Sequence, residues 1–255
     1  MDCEISDLVF GVCLEHTESE EYMKYSINVN EVKTKEGNIK GFATVVFGDA
    51  FKITNIAILE NPERQQLFVS MPRYRSSEHD ENGGTIYKDV CNPITKEFRE
   101  ELYDNIIEAY ETVKTQAKEQ GQVEKPQAEM PEFSVKVTPF ERSGSNVRGL
   151  ARIYFDNNFI VNNVSILQGK DELFVAMPAY KTKQTDEQGK AIYQDVCYPV
   201  TKEFREKLYG EVMKTYEEEK EKKQEEQKET EKDKEKDKEK SGQFQGSPDR
   251  ETPFR

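Results

Sequence analysis

Two short stretches of this chain set basic residues beside tyrosines. One reads MPRYR, with Arg73, Tyr74 and Arg75; the other reads MPAYKTK, with Tyr180, Lys181, Thr182 and Lys183. A cation can pair with a phosphate, and a tyrosine ring can stack on a nucleobase. Together they offer the chemistry of a surface that holds nucleic acid. A second set of cations follows each stretch at the same spacing: Lys96 and Arg99 after the first, Lys202 and Arg205 after the second. The blander reading of these residues is a solvated loop, because Glu78, Asp80 and Asp186 lie close by.

Catalysis finds no comparable set. A nucleophile needs a base within reach. The chain has two histidines, His16 and His79, and neither has a counterpart at the matching position of the other stretch. Asp89 and Asp195 recur, as do Tyr87 and Tyr193, but a lone aspartate beside a buried strand usually braces a turn. No phosphate-binding P-loop and no Gly-rich dinucleotide fingerprint is present. The four cysteines, Cys3, Cys13, Cys91 and Cys197, lack the CxxC or Cys/His spacing of a zinc site. The expectation is a protein that is not an enzyme and carries neither metal nor cofactor. Cys91 and Cys197 read as small buried hydrophobes, or as a thiol pair if the two halves pack symmetrically. Free thiols fit a reducing cytoplasm.

Both stretches belong to a duplication. Leu67–Tyr103 and Leu173–Tyr209 run in step without a gap, 106 residues apart. Upstream of Ile58 the offset is 108, and the difference falls in one surface loop, residues 60–66 against 168–172. Each copy begins with alternating strands. In GFATVVF, residues 41–47, Ala43, Val45 and Phe47 share a face; in GLARIYF, residues 149–155, Ala151, Ile153 and Phe155 do so. Gly48-Asp49 and Asp156-Asn157 read as hairpin turns. FKITNIAIL and FIVNNVSIL give a third strand, and LFVSMP and LFVAMP a fourth, ended by Pro72 and Pro178. A long polar loop is expected over 73–85 and 179–190, followed by short β segments at Ile86, Tyr87 and Val90 and at Ile192, Tyr193 and Val196. A helix closes each copy. Phe98, Leu102, Ile106 and Tyr110 make one apolar stripe, and Phe204, Leu208, Val212 and Tyr216 the other. Thr95 and Thr201 sit at N-cap positions. Lys96, Arg99, Lys202 and Arg205 oppose the helix dipole there.

The expected fold class is α+β: two tandem small domains, each an antiparallel β-sheet with a packed C-terminal α-helix. The expected division is an extension over 1–24, domains over 25–113 and 132–217, a polar linker over 114–131, and a charged, largely disordered tail over 218–255. Within the tail, 217–240 is either a solvated helix held by i,i+4 pairs or disordered. In the extension, Leu8, Val9, Phe10, Val12 and Leu14 could make a short strand or helical turn. The net charge of −13 repels nucleic acid over the chain as a whole, so any such site must be a local patch. No apolar run is long enough to span a membrane, and the N-terminus does not read as a signal peptide.

The block LFVAMP, a basic loop, a short Asp-Val strand, a proline and a helix together resemble the septation protein SpoVG family. FDNNFIVNNVSIL fits the family's third strand, and the second copy is the closer match. The resemblance covers residues 25–113 and 133–216. It implies small α+β domains, usually homodimeric, that bind DNA and RNA and influence septation, sporulation and gene expression. By that resemblance the nucleic-acid contacts fall on Lys181, Thr182, Lys183, Lys202 and Arg205, with Arg73, Arg75, Lys96 and Arg99 in the first copy. Here the family domain is doubled, its loop is longer and more acidic, and a Glu/Lys tail follows. The expected arrangement is an intramolecular pseudo-dimer of the two repeats, with further self-association possible. DNA or RNA and septation or regulatory proteins are the expected partners. The rival reading is a protein-interaction scaffold in septation without nucleic-acid binding.

Overall fold

The structure is a computed structural model describing residues 23–32, 37–115, 122–123, 130–140 and 144–241. The first repeat begins with four antiparallel strands, β1 (Tyr25–Glu31), β2 (Ile39–Phe47), β3 (Phe51–Asn61) and β4 (Gln66–Ser70). A hairpin, β5 (Arg73–His79) and β6 (Thr85–Asp89), leads to a short strand β7 (Cys91–Pro93) and the helix α1 (Lys96–Thr115). In the linker β8 (Gln122–Val123) pairs with the outer edge of β1. The second repeat follows the same plan: β9 (Phe133–Pro139), β10 (Val147–Phe155), β11 (Phe159–Gln168), β12 (Leu173–Ala176), the hairpin β13 (Ala179–Thr185) and β14 (Ala191–Asp195), β15 (Cys197–Pro199) and α2 (Lys202–Ser241).

Local chemistry accounts for the strand joints. Gly48 and Asp49, like Asp156 and Asn157, take positive φ at the centre of tight turns. In these turns the Ala50 and Asn158 N–H groups donate to the Phe47 and Phe155 carbonyls, and three residues separate the paired strand ends Phe47 and Phe51, and Phe155 and Phe159. The third strand contains an irregularity that simple alternation misses. Phe51, Ile53, Ile56 and Ile58 are all buried, so the period of two slips by one residue between Ile53 and Ile56. Asn55, at φ 62°, forms the bulge; Asn163, at φ 58°, does the same between Val161 and Val164. Asparagine tolerates this left-handed backbone better than other residues with a side chain. The bulge returns the second half of the strand to the core face.

The helices lie on the sheets through the expected stripes. Phe98, Leu102, Ile106, Tyr110, Phe204, Leu208, Val212 and Tyr216 are all buried. Tyr110 and Tyr216 rest on Gly41 and Gly149, where a side chain would meet the tyrosine ring at 3.3 and 3.2 Å. Thr201 caps α2, its Oγ1 accepting from the Phe204 N–H at 3.2 Å. Thr95 instead donates its hydroxyl to Asn158 Oδ1 in the other repeat, at 3.1 Å.

The repeats exchange strands. β7 pairs with β11, setting Cys91 opposite Val161 and Pro93 opposite Phe159; β15 pairs with β3, setting Cys197 opposite Ile53 and Pro199 opposite Phe51. Reciprocal backbone bonds extend both joints: Thr54 N–H to the Val196 carbonyl and Asn162 N–H to the Val90 carbonyl, each 2.8 Å. The expected pseudo-dimer is thus one body with a continuous core. Phe51 meets Phe155 at 4.7 Å between ring centroids, and Phe47 meets Phe159 at 5.0 Å. Cys91 and Cys197 come together in that core, and both are free thiols. A hydrogen bond to Cys91, together with burial, pushes the Cys197 thiol well above its usual value.

One expectation needs correction: the polar loops over 73–85 and 179–190 are the β-hairpins β5–β6 and β13–β14. The linker also contributes the two-residue strand β8, and of the two readings given for 217–240 the helix is the one found, running through Ser241; residues 242–255 and 1–22 lie outside the described residues. Among those described, no helix is long and apolar enough to cross a membrane.

Because the phenylalanine core is shared, Phe155→Ala should lower stability by about 3–5 kcal/mol. Urea unfolding should remain a single transition by probes placed in either repeat; two separated transitions would show independent cores. In the folded chain at pH 8, iodoacetamide should leave Cys91 and Cys197 unmodified, and both should react once urea opens the core, as peptide mapping would record.

Candidate nucleic-acid interface

The residues that carry the charge sit on rigid supports. Each hairpin leaves the sheet after Pro72 or Pro178 and returns at Val90 or Val196, whose N–H groups donate to those prolines' carbonyls at 2.8 Å. The tips are braced by aspartate. Asp80 Oδ1 accepts from the N–H groups of Asn82 and Gly84, and Asp186 Oδ1 from those of Gln188 and Lys190. Gly83 and Gly189, at φ 77° and 76°, complete the turns. Two of the acids that argued for a merely solvated loop therefore hold the hairpin tips.

Register places the basic and aromatic side chains in cross-strand pairs. Arg75 lies opposite Tyr87, and Lys181 opposite Tyr193. Tyr87 is 61% exposed and Tyr193 67% exposed, the highest values among the large hydrophobic side chains of the described chain. The sequence reading passed these tyrosines over in favour of Tyr74 and Tyr180. Tyr180 donates its hydroxyl to Gln194 Oε1 at 2.7 Å and lies along the hairpin. The signal for Tyr87 and Tyr193 was their recurrence at one position of both copies, but only the register shows which side chain faces them.

The other predicted residues divide by role. Lys181 and Lys183 are exposed and form no ion pair among the described residues. Lys96 and Lys202 are exposed at the helix starts and reach Glu100 and Glu206 at 3.6 and 3.7 Å, which offsets their conflict with the helix dipole. Arg73 is bound to Asp89, with Nε 2.7 Å from Oδ1. Arg99 and Arg205 donate to the carbonyls of Pro93 and Pro199 at 3.1 and 3.3 Å, tying each helix to its exchanged strand. Thr182 Oγ1 donates to the Ile192 carbonyl at 3.0 Å and braces the hairpin where its register shifts.

The hairpin base and helix start converge on Tyr103 and Tyr209. Burial raises both phenols; the charges of Arg99 and Arg205 respectively pull them back. The repeats then differ. Ala179 stands where the first copy has Arg73, so no arginine on the second hairpin meets Asp195. Partial burial raises the Asp195 carboxyl, opposed by Arg205. The first hairpin also pairs Lys88 with Glu78 at 2.7 Å, positions held in the second by Gln194 and Gln184. The first hairpin's Arg73 and Lys88 are thus spent on its own carboxylates, while the second keeps Lys181 and Lys183 available.

Known proteins resemble this chain in sequence. The family model SpoVG matches twice, over residues 23–112 and 130–218. The "Putative septation protein SpoVG" of Thermoanaerobacter sp. (strain X514) is 30% identical over 87 residues, 34% of this chain and 87% of the relative. Its namesake in Archaeoglobus fulgidus is 33% identical over 79 residues, 31% of this chain and 86% of the relative. That of Treponema denticola is 32% identical over 74 residues, 29% of this chain and 73% of the relative. One repeat here corresponds to most of each relative, and the chain belongs to the SpoVG family, with the family domain present in two tandem copies.

Proposed function

We propose that this chain is a non-enzymatic DNA- or RNA-binding regulator that acts in the cytoplasm and serves septation, the process named for its relatives. The observation that carries the reading is the basic residue set opposite an exposed tyrosine on both hairpins, Lys181 with Tyr193 and Arg75 with Tyr87. A cation beside an aromatic face is the pairing that holds a phosphate and stacks its base. The second hairpin is the stronger contact, through Lys181, Lys183 and Tyr193, with Lys202 at the adjacent helix start. Arg75 and Lys96 contribute from the first repeat. Arg99, Arg205 and Thr182 act by holding the hairpin and helix in place, and Arg73 is neutralised by Asp89.

A protein-interaction scaffold is the alternative. It is favoured by the net charge of −13 and by the internal pairing of Arg73 and Lys88. Titration of the full chain with fluorescent single-stranded DNA and RNA at several salt concentrations separates the two. For the regulator, log affinity falls linearly with log salt, and the double change Lys181→Ala, Lys183→Ala reduces the slope by about 1.4. Tyr193→Ala weakens binding by about 1–3 kcal/mol and leaves the slope unchanged. Absence of binding at about 50 mM salt would overturn the reading and leave the scaffold.

A further inference from the structure

The two sheets end differently. In the first repeat β8 lies against β1 in antiparallel register, Val123 opposite Ile27 and Gln122 opposite Asn28. Among the described residues, β9 of the second repeat pairs only with β10 and its other edge carries no strand; at the end of that edge Lys223 Nζ donates to the Pro139 carbonyl at 2.7 Å. Burial follows. Tyr25, Ile27 and Val29 are 4%, 2% and 1% exposed; of their equivalents, Phe133 and Val135 are only half-buried, and Val137 is buried at 8%. An open strand edge presents unpaired N–H and C=O groups, ready to pair with another extended chain.

The surroundings of that edge give the occupant a charge. A groove of about 570 Å³ takes its lining from both faces of β9, Val135 and Val137 on the helix side, Lys136 and Thr138 on the other, with Arg152 beside them. A second groove of about 340 Å³ adjoins it and brings Arg148, Lys220 and Lys223. The acid in the first groove, Glu219, is already bound to Lys222 at 2.6 Å. A positive groove beside a free strand edge fits an extended chain of negative charge.

We propose that the open edge of β9 is a docking site for an extended acidic peptide of a partner protein, which adds as an antiparallel strand where β8 sits on β1. Backbone bonds to β9 supply affinity. Alternate carboxylates of the added strand fall on the face away from the helix, where they meet Lys136 and Arg152. This surface is separate from the hairpins and does not depend on nucleic-acid binding.

Amide hydrogen exchange of the full chain, with and without the peptide acetyl-Glu-Val-Glu-Val-Glu-Val-Glu-amide, tests it. The expected result is slowing of exchange at the outward-facing Phe133, Val135 and Val137 amides by about tenfold or more, with β1 unchanged. The double change Lys136→Glu, Arg152→Glu should weaken peptide binding about tenfold, and a lysine-for-glutamate version of the peptide should not bind. Unchanged β9 exchange at low salt would overturn the proposal. So would protection of the outward-facing Phe133, Val135 and Val137 amides before peptide is added, which would mean that this chain or a second copy covers the edge. Protection of β9 by an oligonucleotide in place of the peptide would overturn it too.

Discussion

The fold depends on the reciprocal exchange of β7 and β15. Each strand is three residues long, too short to stand as a sheet edge alone, yet each completes the other repeat's sheet. A β-strand's backbone groups must be paired when buried. Here the pairing partner is always in the other repeat, so neither sheet is complete by itself. The joint also brings Phe47, Phe51, Phe155 and Phe159 into mutual contact. An isolated repeat would expose those rings and leave β3 or β11 without its neighbour. Covalent linkage of two copies makes this pairing intramolecular, and so independent of protein concentration.

Symmetry in the core does not extend to the surface. The inner positions are near-duplicates: Cys91 and Cys197, Phe98 and Phe204, Gly41 and Gly149. They are held alike because a change in one would be felt across the shared packing. The outer positions have no such constraint. Arg73 is matched by Ala179 and Lys88 by Gln194, and the edge that β8 covers on β1 carries no strand on β9 among the described residues. The two copies thus present one scaffold with two chemical surfaces.

The hairpins show how rigidity and exposure are reconciled. Their tips are held by Asp80 and Asp186, and their bases by the carbonyls of Pro72 and Pro178. A backbone held in this way needs little further ordering when a ligand arrives, which favours binding. The acids that lower the net charge are partly the residues that hold the cations in position.

The sequence by itself determined the duplication, the order of strands and helix, the apolar faces and the hairpin-turn residues. All of these rest on local periodicity and turn chemistry, which a chain carries in its own spacing. It also marked the basic loop and the helix start as the places for charge. It could not show that residues 73–85 and 179–190 are paired strands, because their side chains are too polar to reveal an alternation. The bulges at Asn55 and Asn163 were hidden for a related reason: one extra residue breaks the period without changing composition. Only the tertiary structure decided the strand exchange, the meeting of Cys91 with Cys197, and the choice of Tyr87 and Tyr193 as the exposed rings. It also separated Arg99 and Arg205, which hold backbone carbonyls, from Lys181 and Lys183, which do not. These are matters of register and of contacts between residues tens to a hundred positions apart, and spacing along one chain does not encode which distant group a side chain meets.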